Sequence, residues 1–500
     1  MDLEGQIDGS GDHAAAPLLN YAFAREHGAL VQEDGKRLVC LHRASTSLTT
    51  LLEVQRVFGE LDWRPVDDQQ FASTLQRAYR DNASVAAGVA GIGDVDLAAL
   101  ADSAAHVDDL LDDREDSPVI RLINALLLEA VKERASDIHI ETQERRLIVR
   151  FRVDGVLRDI IEPNRALAPL LVSRIKIMAR LDIAEKRVPQ DGRVTLRIAE
   201  HEIDVRVSTI PTQHGERVVM RLLDRGSVRL DLSHLGMSGR DEQKLLTLLD
   251  RPNGMIVVSG PTGSGKTTTL YAALSILNDR KRNIMTVEDP IEYELEGIAQ
   301  TQVNPRTDMT FARGLRAILR QDPDVIMVGE IRDRETAEVA MRASMTGHLV
   351  LSTLHTNSAI GSITRLLDIG IERYLLAPVV IGLVAQRLVR RLCPSCREPA
   401  TATDADAALL DAVLSAGDPL FRPAGCGECN GEGYRGRTGL YEVIVIDRTL
   451  ETLIHDGCSE AALVAAARKA GPSLLDDGIA KIRRGLTSVA EVARVVHEEA

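Results

Sequence analysis

The stretch Gly260-Pro261-Thr262-Gly263-Ser264-Gly265-Lys266-Thr267 constrains this chain more than any other. It follows an apolar run at 255–258 and precedes Thr268-Thr269-Leu270-Tyr271-Ala272-Ala273-Leu274, which has helical character. This is a glycine-rich phosphate loop in the strand–loop–helix setting that its chemistry requires. Glycine lets successive backbone N–H groups turn inward around a phosphate without Cβ clashes. The helix N-terminus adds the positive end of its dipole. Lys266 is expected to reach the β- and γ-phosphates of ATP, and the Thr267 hydroxyl to ligate Mg²⁺. Residues 260–268 are thus the candidate nucleotide-binding residues.

Around the loop, short apolar strands are expected at 255–258, 284–287, 325–328 and 349–352, alternating with helices. That alternation implies an α/β core with a parallel sheet, in which ligands sit beyond the carboxyl ends of the strands. Each strand delivers a polar residue there: the loop itself, Glu288-Asp289, Gly329-Glu330, and His355. Binding needs only the loop, whereas hydrolysis needs an acid to hold Mg²⁺ and orient water. Glu288 precedes Asp289-Pro290, where the chain must turn. Glu330 closes Val325-Ile326-Met327-Val328-Gly329, the outline of a Walker B segment with Gly329 where an aspartate is usual. His355 at the same rim can sense a γ-phosphate by a hydrogen bond. Taken singly, His355 is as well explained by a structural role, and a solvated strand-end charge is the weaker alternative for either glutamate; their convergence argues for function. His348, before its strand, is expected to serve structure.

Six cysteines include Cys393-x-x-Cys396 and Cys426-x-x-Cys429, separated by 29 residues. Four thiolates suit tetrahedral Zn²⁺ with no open position, hence a structural zinc. Glycines 425, 427 and 431 permit tight knuckle turns. A redox pair or unligated thiols is the alternative. The pattern reads as metal ligation in a reducing compartment. Cys40 is expected to be a buried hydrophobe, and Cys458 a bystander.

The remaining chain divides as follows. Residues 1–107 form a small α-rich docking unit behind a frayed leader, with an apolar run at 37–41 and helical spacing at 51–58. An acidic linker occupies 108–117. Residues 118–225 form an α+β domain that opens with an amphipathic helix at Pro118. Its strands are expected at 137–141, 147–153, 194–198, 202–207 and 217–223. Asp154-Gly155 marks a hairpin, and a helix is expected at 166–184. The ATPase core spans 226–390, the tetracysteine unit 391–435, and a strand with helices 436–500. Net charge is −14 and aromatics are 3%. Both argue against general nucleic-acid binding, which needs basic surface and stacking platforms. No secretory h-region follows Met1, and the apolar run near 375–386 is too short to span a bilayer. A soluble, cytoplasmic protein is expected.

The motifs together resemble the secretion ATPases that power bacterial type II secretion and type IV pili. Besides the loop, the matching segments are the acidic box Thr286-Val287-Glu288-Asp289-Pro290-Ile291-Glu292 and the atypical Walker B around Gly329-Glu330. The histidine box Thr346-Gly347-His348-Leu349 through His355-Thr356 matches too, as does Ala135-Ser136-Asp137-Ile138-His139-Ile140-Glu141 at the entry to a PAS-like domain. Residues 19–28 resemble the opening of the type II secretion branch, the general secretion pathway protein E type. The resemblance implies a RecA-like ATPase core preceded by a PAS-like domain, assembled as a homo-hexamer. It implies that the PAS-like domain supplies Arg206 and Arg221 to ATP. It also implies an N-terminal domain docked on the cytoplasmic part of an inner-membrane partner, and a polytopic inner-membrane platform driven to assemble a pseudopilus. Rival expectations are a type IV pilus extension motor, a RecA-like nucleic-acid translocase, and a scaffold that binds ATP without hydrolysing it.

Overall fold

The computed structural model describes residues 27–34, 37–59, 61–67, 71, 74, 97–104, 118–198, 201–224, 230–410 and 413–496. The leader, nearly all of the stretch 19–28 and the acidic linker lie outside them. The described chain forms two compact units that part after Leu222, with short stretches at 154–156 and 200–204 grouped with the second.

At the start of the first unit, β1 (Ala29–Asp34), β2 (Arg37–Arg43) and β3 (Asp62–Val66) form a three-stranded sheet in that order. β1 and β2 are antiparallel, while β2 and β3 are parallel. The helix Leu48–Phe58 makes the crossover; Ser47 caps it by accepting from Thr50 N, and Gly59 ends it at φ 78°. The apolar run at 37–41 is a paired strand, so the unit expected to be α-rich holds a sheet as well as helices. Its partner 29–34 carries too little alternation to announce itself. Cys40 is fully buried with Ala29, Val31 and Val54. Burial pushes its thiol up to about 11, as befits an inert hydrophobe.

The same unit holds a six-stranded sheet of β4 (Ala135–Thr142), β5 (Leu147–Val153), β6 (Val156–Ile161), β7 (Gln190–Ile198), β8 (His201–Thr212) and β9 (Gly215–Asp224). Their order is β6-β5-β4-β9-β8-β7. Asp154 and Gly155 turn between β5 and β6 at φ 50° and 87°, the doubly positive pair of a tight hairpin. The helix Pro118–Lys132 buries Val119, Leu122, Ile123, Leu126 and Leu127, the expected face. The helix expected at 166–184 is shorter, Ala168–Met178 after a 3-10 turn. Arg180 sits at φ 57° and breaks it. The turn lets buried Lys176 donate to Glu185 O at 2.8 Å, and its amine also pairs with Glu216.

The second unit is organised on a seven-stranded sheet. Its strands are β10 (Gly254–Ser259), β11 (Ile284–Glu288), β12 (Ala299–Gln302), β13 (Val325–Val328), β14 (Leu349–Leu354) and β15 (Val380–Leu392). A small antiparallel pair, β16 (Glu398–Thr401) and β17 (Pro419–Arg422), precedes β18 (Tyr434–Val445), which completes the large sheet. The order is β12-β11-β13-β14-β10-β15-β18, with every pair parallel except β15 and β18. The four expected strands are present. The apolar run near 375–386 leads into β15, buried on both faces as a central parallel strand should be. β18 lies largely in the segment assigned to a separate C-terminal unit, yet it hydrogen-bonds along β15 from Gly382↔Val445 to Leu392↔Tyr434. The helices that follow share this core: Leu450, Leu463, Ile482 and Val492 belong to one cluster with Met255 and Val257. No helix among the described residues is long and apolar enough to cross a membrane.

Candidate functional site

The site is built at the carboxyl ends of β10, β11, β13 and β14. β10 is buried throughout, and the chain leaves it through Gly260 at φ 149° and Gly265 at φ 87°. A Cβ on Gly260 would meet Gln386 O at 2.5 Å and Ser264 Oγ at 2.6 Å; one on Gly265 would meet Gln386 Nε2 at 2.8 Å. The loop is therefore clamped on one side by β15. At Gly263 the space is open. Ser264 Oγ is buried with no hydrogen-bond partner among the described residues. Lys266 is also buried, and its Nζ donates to Gly260 O at 2.7 Å and Pro261 O at 2.9 Å. Burial pushes this amine down to about 8, opposed by the nearby Glu330 carboxylate. Thr267 is exposed at the start of the helix Lys266–Leu277, and Thr268 is half-buried. An orphaned hydroxyl, a poorly solvated cation and a cradle that admits no Cβ at Gly260 or Gly265 fit a polyphosphate.

The cradle yields a first prediction. Gly260→Ala should destabilise the protein by about 1–3 kcal/mol from the backbone conformation alone, before any overlap with Gln386 O. Nucleotide affinity should fall with it. Melting temperature and ADP titration read both effects, and a variant matching the parent in both would refute the clamp.

Beyond β13, Glu330 sits between a guanidinium and an imidazole: Arg332 Nη2 at 2.5 Å and His355 Nε2 at 3.5 Å. Its side chain is only 12% exposed. Burial and the Lys266 charge hold the His355 imidazole below its usual value, against the pull of Glu330. The neutral ring therefore has one N–H to donate at pH 7. Thr353 Oγ1 donates to Gly329 O at 2.7 Å, which ties the tips of β13 and β14 together. His348 Nδ1 donates to Ala343 O at 2.8 Å, the structural role expected of it.

Glu288 departs from the open strand-end carboxylate that its position suggests. It is 2% exposed. Tyr271 Oη donates to its Oε2, while Thr286 Oγ1 at 2.6 Å and Gln300 Nε2 at 3.0 Å donate to Oε1. Lys266, Glu330 and His355 thus form one electrostatic group, and Glu288 belongs to a neighbouring hydrogen-bond network. The network reaches the phosphate loop because Tyr271 lies on the loop's own helix. Tyr271, Gln300, Arg332 and Gln386 escaped sequence reading. Tyr271 passed as one more apolar position of a helix, and nothing local marks the other three. Arg206 on β8 and Arg221 on β9 belong to the first unit, and the loop to the second. Arg221 Nε donates to Asp137 Oδ1 at 2.9 Å, with its side chain 59% exposed; Arg206 is half-buried.

The cysteines converge as their spacing predicts. The Sγ atoms of Cys393, Cys396, Cys426 and Cys429 all lie within 4.8 Å of one another. Three of the separations are 3.9, 3.7 and 3.7 Å. A tetrahedron with Zn–S bonds of about 2.3 Å requires sulfurs about 3.8 Å apart, so the four positions fit zinc. Backbone N–H groups of Cys426 and Gly433 donate to Cys429 Sγ at 3.2 and 3.1 Å, the outer support a thiolate needs. Gly425, at φ 96°, allows the knuckles to touch, because a Cβ there would meet Gly431 O at 2.4 Å.

Comparison with known proteins identifies the family. The family model described as type II/IV secretion system protein matches residues 112–494, and that of the N-terminal domain of GSPII protein E matches residues 18–79. Type II secretion system protein E of Pseudomonas aeruginosa is 57% identical over 97% of this chain and 98% of its own length. Type II secretion system ATPase E of Vibrio cholerae is 52% identical over 96% and 97%. Among solved structures, the pilus retraction motor PilT with bound ADP aligns with 75% of this chain and 96% of its own at TM-score 0.52 and 27% identity. The Legionella pneumophila ATPase DotB aligns over 75% and 95% at TM-score 0.56 and 22% identity, a likeness of fold. A sheet that gathers a phosphate loop, Glu330 and His355 at one rim, a matching family model and near-full-length relatives together make this chain a member of the type II/IV secretion system protein family, on its type II secretion protein E branch.

Proposed function

We propose that the chain is the ATP-hydrolysing motor of a type II secretion system, driving pseudopilus assembly and protein export. The observation that carries this reading is the grouping of the phosphate loop, Lys266, Glu330 and His355 at the ends of neighbouring parallel strands. Residues 260–268 bind the ATP phosphates, with Lys266 swinging from the loop carbonyls to the β- and γ-phosphates. Thr267 and Glu330 hold Mg²⁺, which when bound neutralises phosphate charge. Glu288 orients the attacking water. A carboxylate has about four acceptor sites, and Tyr271, Thr286 and Gln300 use three, leaving one on Oε2 for water. His355 donates to the γ-phosphate. Arg206 and Arg221 come from the PAS-like domain to neutralise developing charge, a contribution of about 10³–10⁵ in rate for such arginines. Cys393, Cys396, Cys426 and Cys429 hold a structural zinc.

The assembly belongs to the same proposal. A cytoplasmic homo-hexamer brings each PAS-like domain against a neighbouring RecA-like domain. The N-terminal domain docks on the cytoplasmic part of an inner-membrane protein, and the ring turns a polytopic platform. The domain limits are those read from the sequence, with β18 and its helices joined to the ATPase core. The test is the turnover rate of the full chain against concentration, and then with the membrane partner's cytoplasmic domain. Turnover should rise with ring formation and again with the partner, and the chain should co-purify with the secretion platform. Stimulation by single-stranded DNA instead would point to a translocase, and co-purification with pilus components to a pilus motor.

A further inference from the structure

Glu288 is a carboxylate in an apolar setting, and no lysine, arginine or histidine pairs with it among the described residues. Its geometry rests on three neutral donors. Thr286 is two residues back on the same strand, and Gln300 comes from the adjacent β12. The third, Tyr271, is different in kind. It stands five residues beyond Lys266 on the helix that begins in the phosphate loop. Its ring is fully buried among Leu270, Leu274 and Ile284, where phenylalanine would fill the same space. A buried hydroxyl is costly unless it is satisfied. This one donates to Glu288 Oε2 and lies 3.3 Å from Glu292 N and 3.4 Å from Gln300 Nε2, both of which donate to it. The ring is braced edge-on by Tyr293, centroids 4.6 Å apart at 82°. Burial and the Glu288 carboxylate push the phenol well above its usual range, so it remains a donor.

We infer that Tyr271 is a positioning residue for hydrolysis: it holds the Glu288 carboxylate in register with the phosphate loop by linking both to one helix. The hydroxyl acts through the carboxylate, its partners being Glu288, Glu292 N and Gln300. It fixes Oε2, the oxygen with a site left for water, and so sets where the attacking water stands relative to the phosphates. A displacement of the loop helix reaches the carboxylate directly through this bond, and indirectly through Gln300, which donates to both groups. The inference rests on the reading of Glu288 as the water-orienting group.

The test compares Tyr271→Phe, Glu288→Gln and the double variant in the full chain by steady-state ATP hydrolysis and ADP titration. Tyr271→Phe should lower kcat about tenfold, a fraction of the roughly 10²–10⁴ carried by a positioned base, and move KM and ADP affinity less than about twofold. In the Glu288→Gln background the same change should lower kcat no further, since the hydroxyl acts only through that carboxylate. A parental kcat for Tyr271→Phe, or equal losses in both backgrounds, overturns the inference while leaving Glu288 in its role. A near-parental kcat for Glu288→Gln overturns the role of Glu288 and the inference with it. Should Tyr271→Phe fail to fold, 3-fluorotyrosine at position 271 keeps the shape and strengthens the donor. It should change kcat at constant KM; an unchanged kcat overturns the inference.

Discussion

Lys266→Ala is expected to lower ATP turnover by at least about 10²–10³-fold, the usual cost of removing a preorganised group aimed at developing charge. The physical reason lies in the resting position of the amine. It is buried, bonded among the described residues to the carbonyls of Gly260 and Pro261, and held down to about 8 by desolvation. A poorly solvated ammonium gains more from a phosphate than an exposed one, because less hydration is lost when the pair forms. Alanine removes that charge and leaves the loop carbonyls without their donor, so ADP affinity should also fall. A variant that keeps turnover would refute the site. The same burial predicts a pH dependence. Phosphates raise the amine's affinity for its proton, so the bound state holds more protons than the unbound state above about pH 8. ATP affinity should therefore decline as pH rises past 8, with proton uptake on binding. Calorimetry in two buffers of different ionisation enthalpy at pH 8.5, a value on the order of the shifted one, would register that uptake; equal heats would contradict it.

Cys396→Ser should abolish stoichiometric zinc binding and destabilise the protein by about 4 kcal/mol or more, the scale reached when a metal site is lost. The four sulfurs converge between β15 and β18, with Cys429 Sγ already accepting from two backbone N–H groups. Without a cation, thiolates this close repel, and as thiols they have few donors to offer one another. Hydrogen exchange should quicken at 393–434 while β10 and β14 stay protected, because those strands lie on the far side of β15 in the sheet. Elemental analysis measures the metal. A parent protein free of zinc, or a serine variant that retains one equivalent, would refute the assignment.

Much of both sites could be read from residues alone, for a reason visible in particular elements. The phosphate loop, the C-x-x-C pairs and the acid at the end of 325–328 are chemistries carried by neighbours in sequence. Backbone geometry then dictates what they can do. The expected parallel strands emerged likewise from short apolar runs bounded by turns. Where the structure differs from expectation, the deciding contact is distant. The apolar run at 37–41, to which the sequence assigned no element, is a strand because 29–34 pairs with it. The helix expected to reach 184 stops at Met178 because Lys176 must meet Glu185 O and Glu216. β18 joined the ATPase sheet through partners about 40 to 60 residues away on β15.

The phosphate loop shows the same division. That residues 260–267 cradle phosphate followed from the sequence, since glycine spacing, lysine and helix start are local properties. That Gln386 closes the back of the cradle, that Lys266 rests on the loop's own carbonyls, and that Glu288 is sheathed by Tyr271 and Gln300 were decided by tertiary structure. Those partners lie on other strands or across a helix, and the hydrophobic packing that brings them together has no signature at any one position.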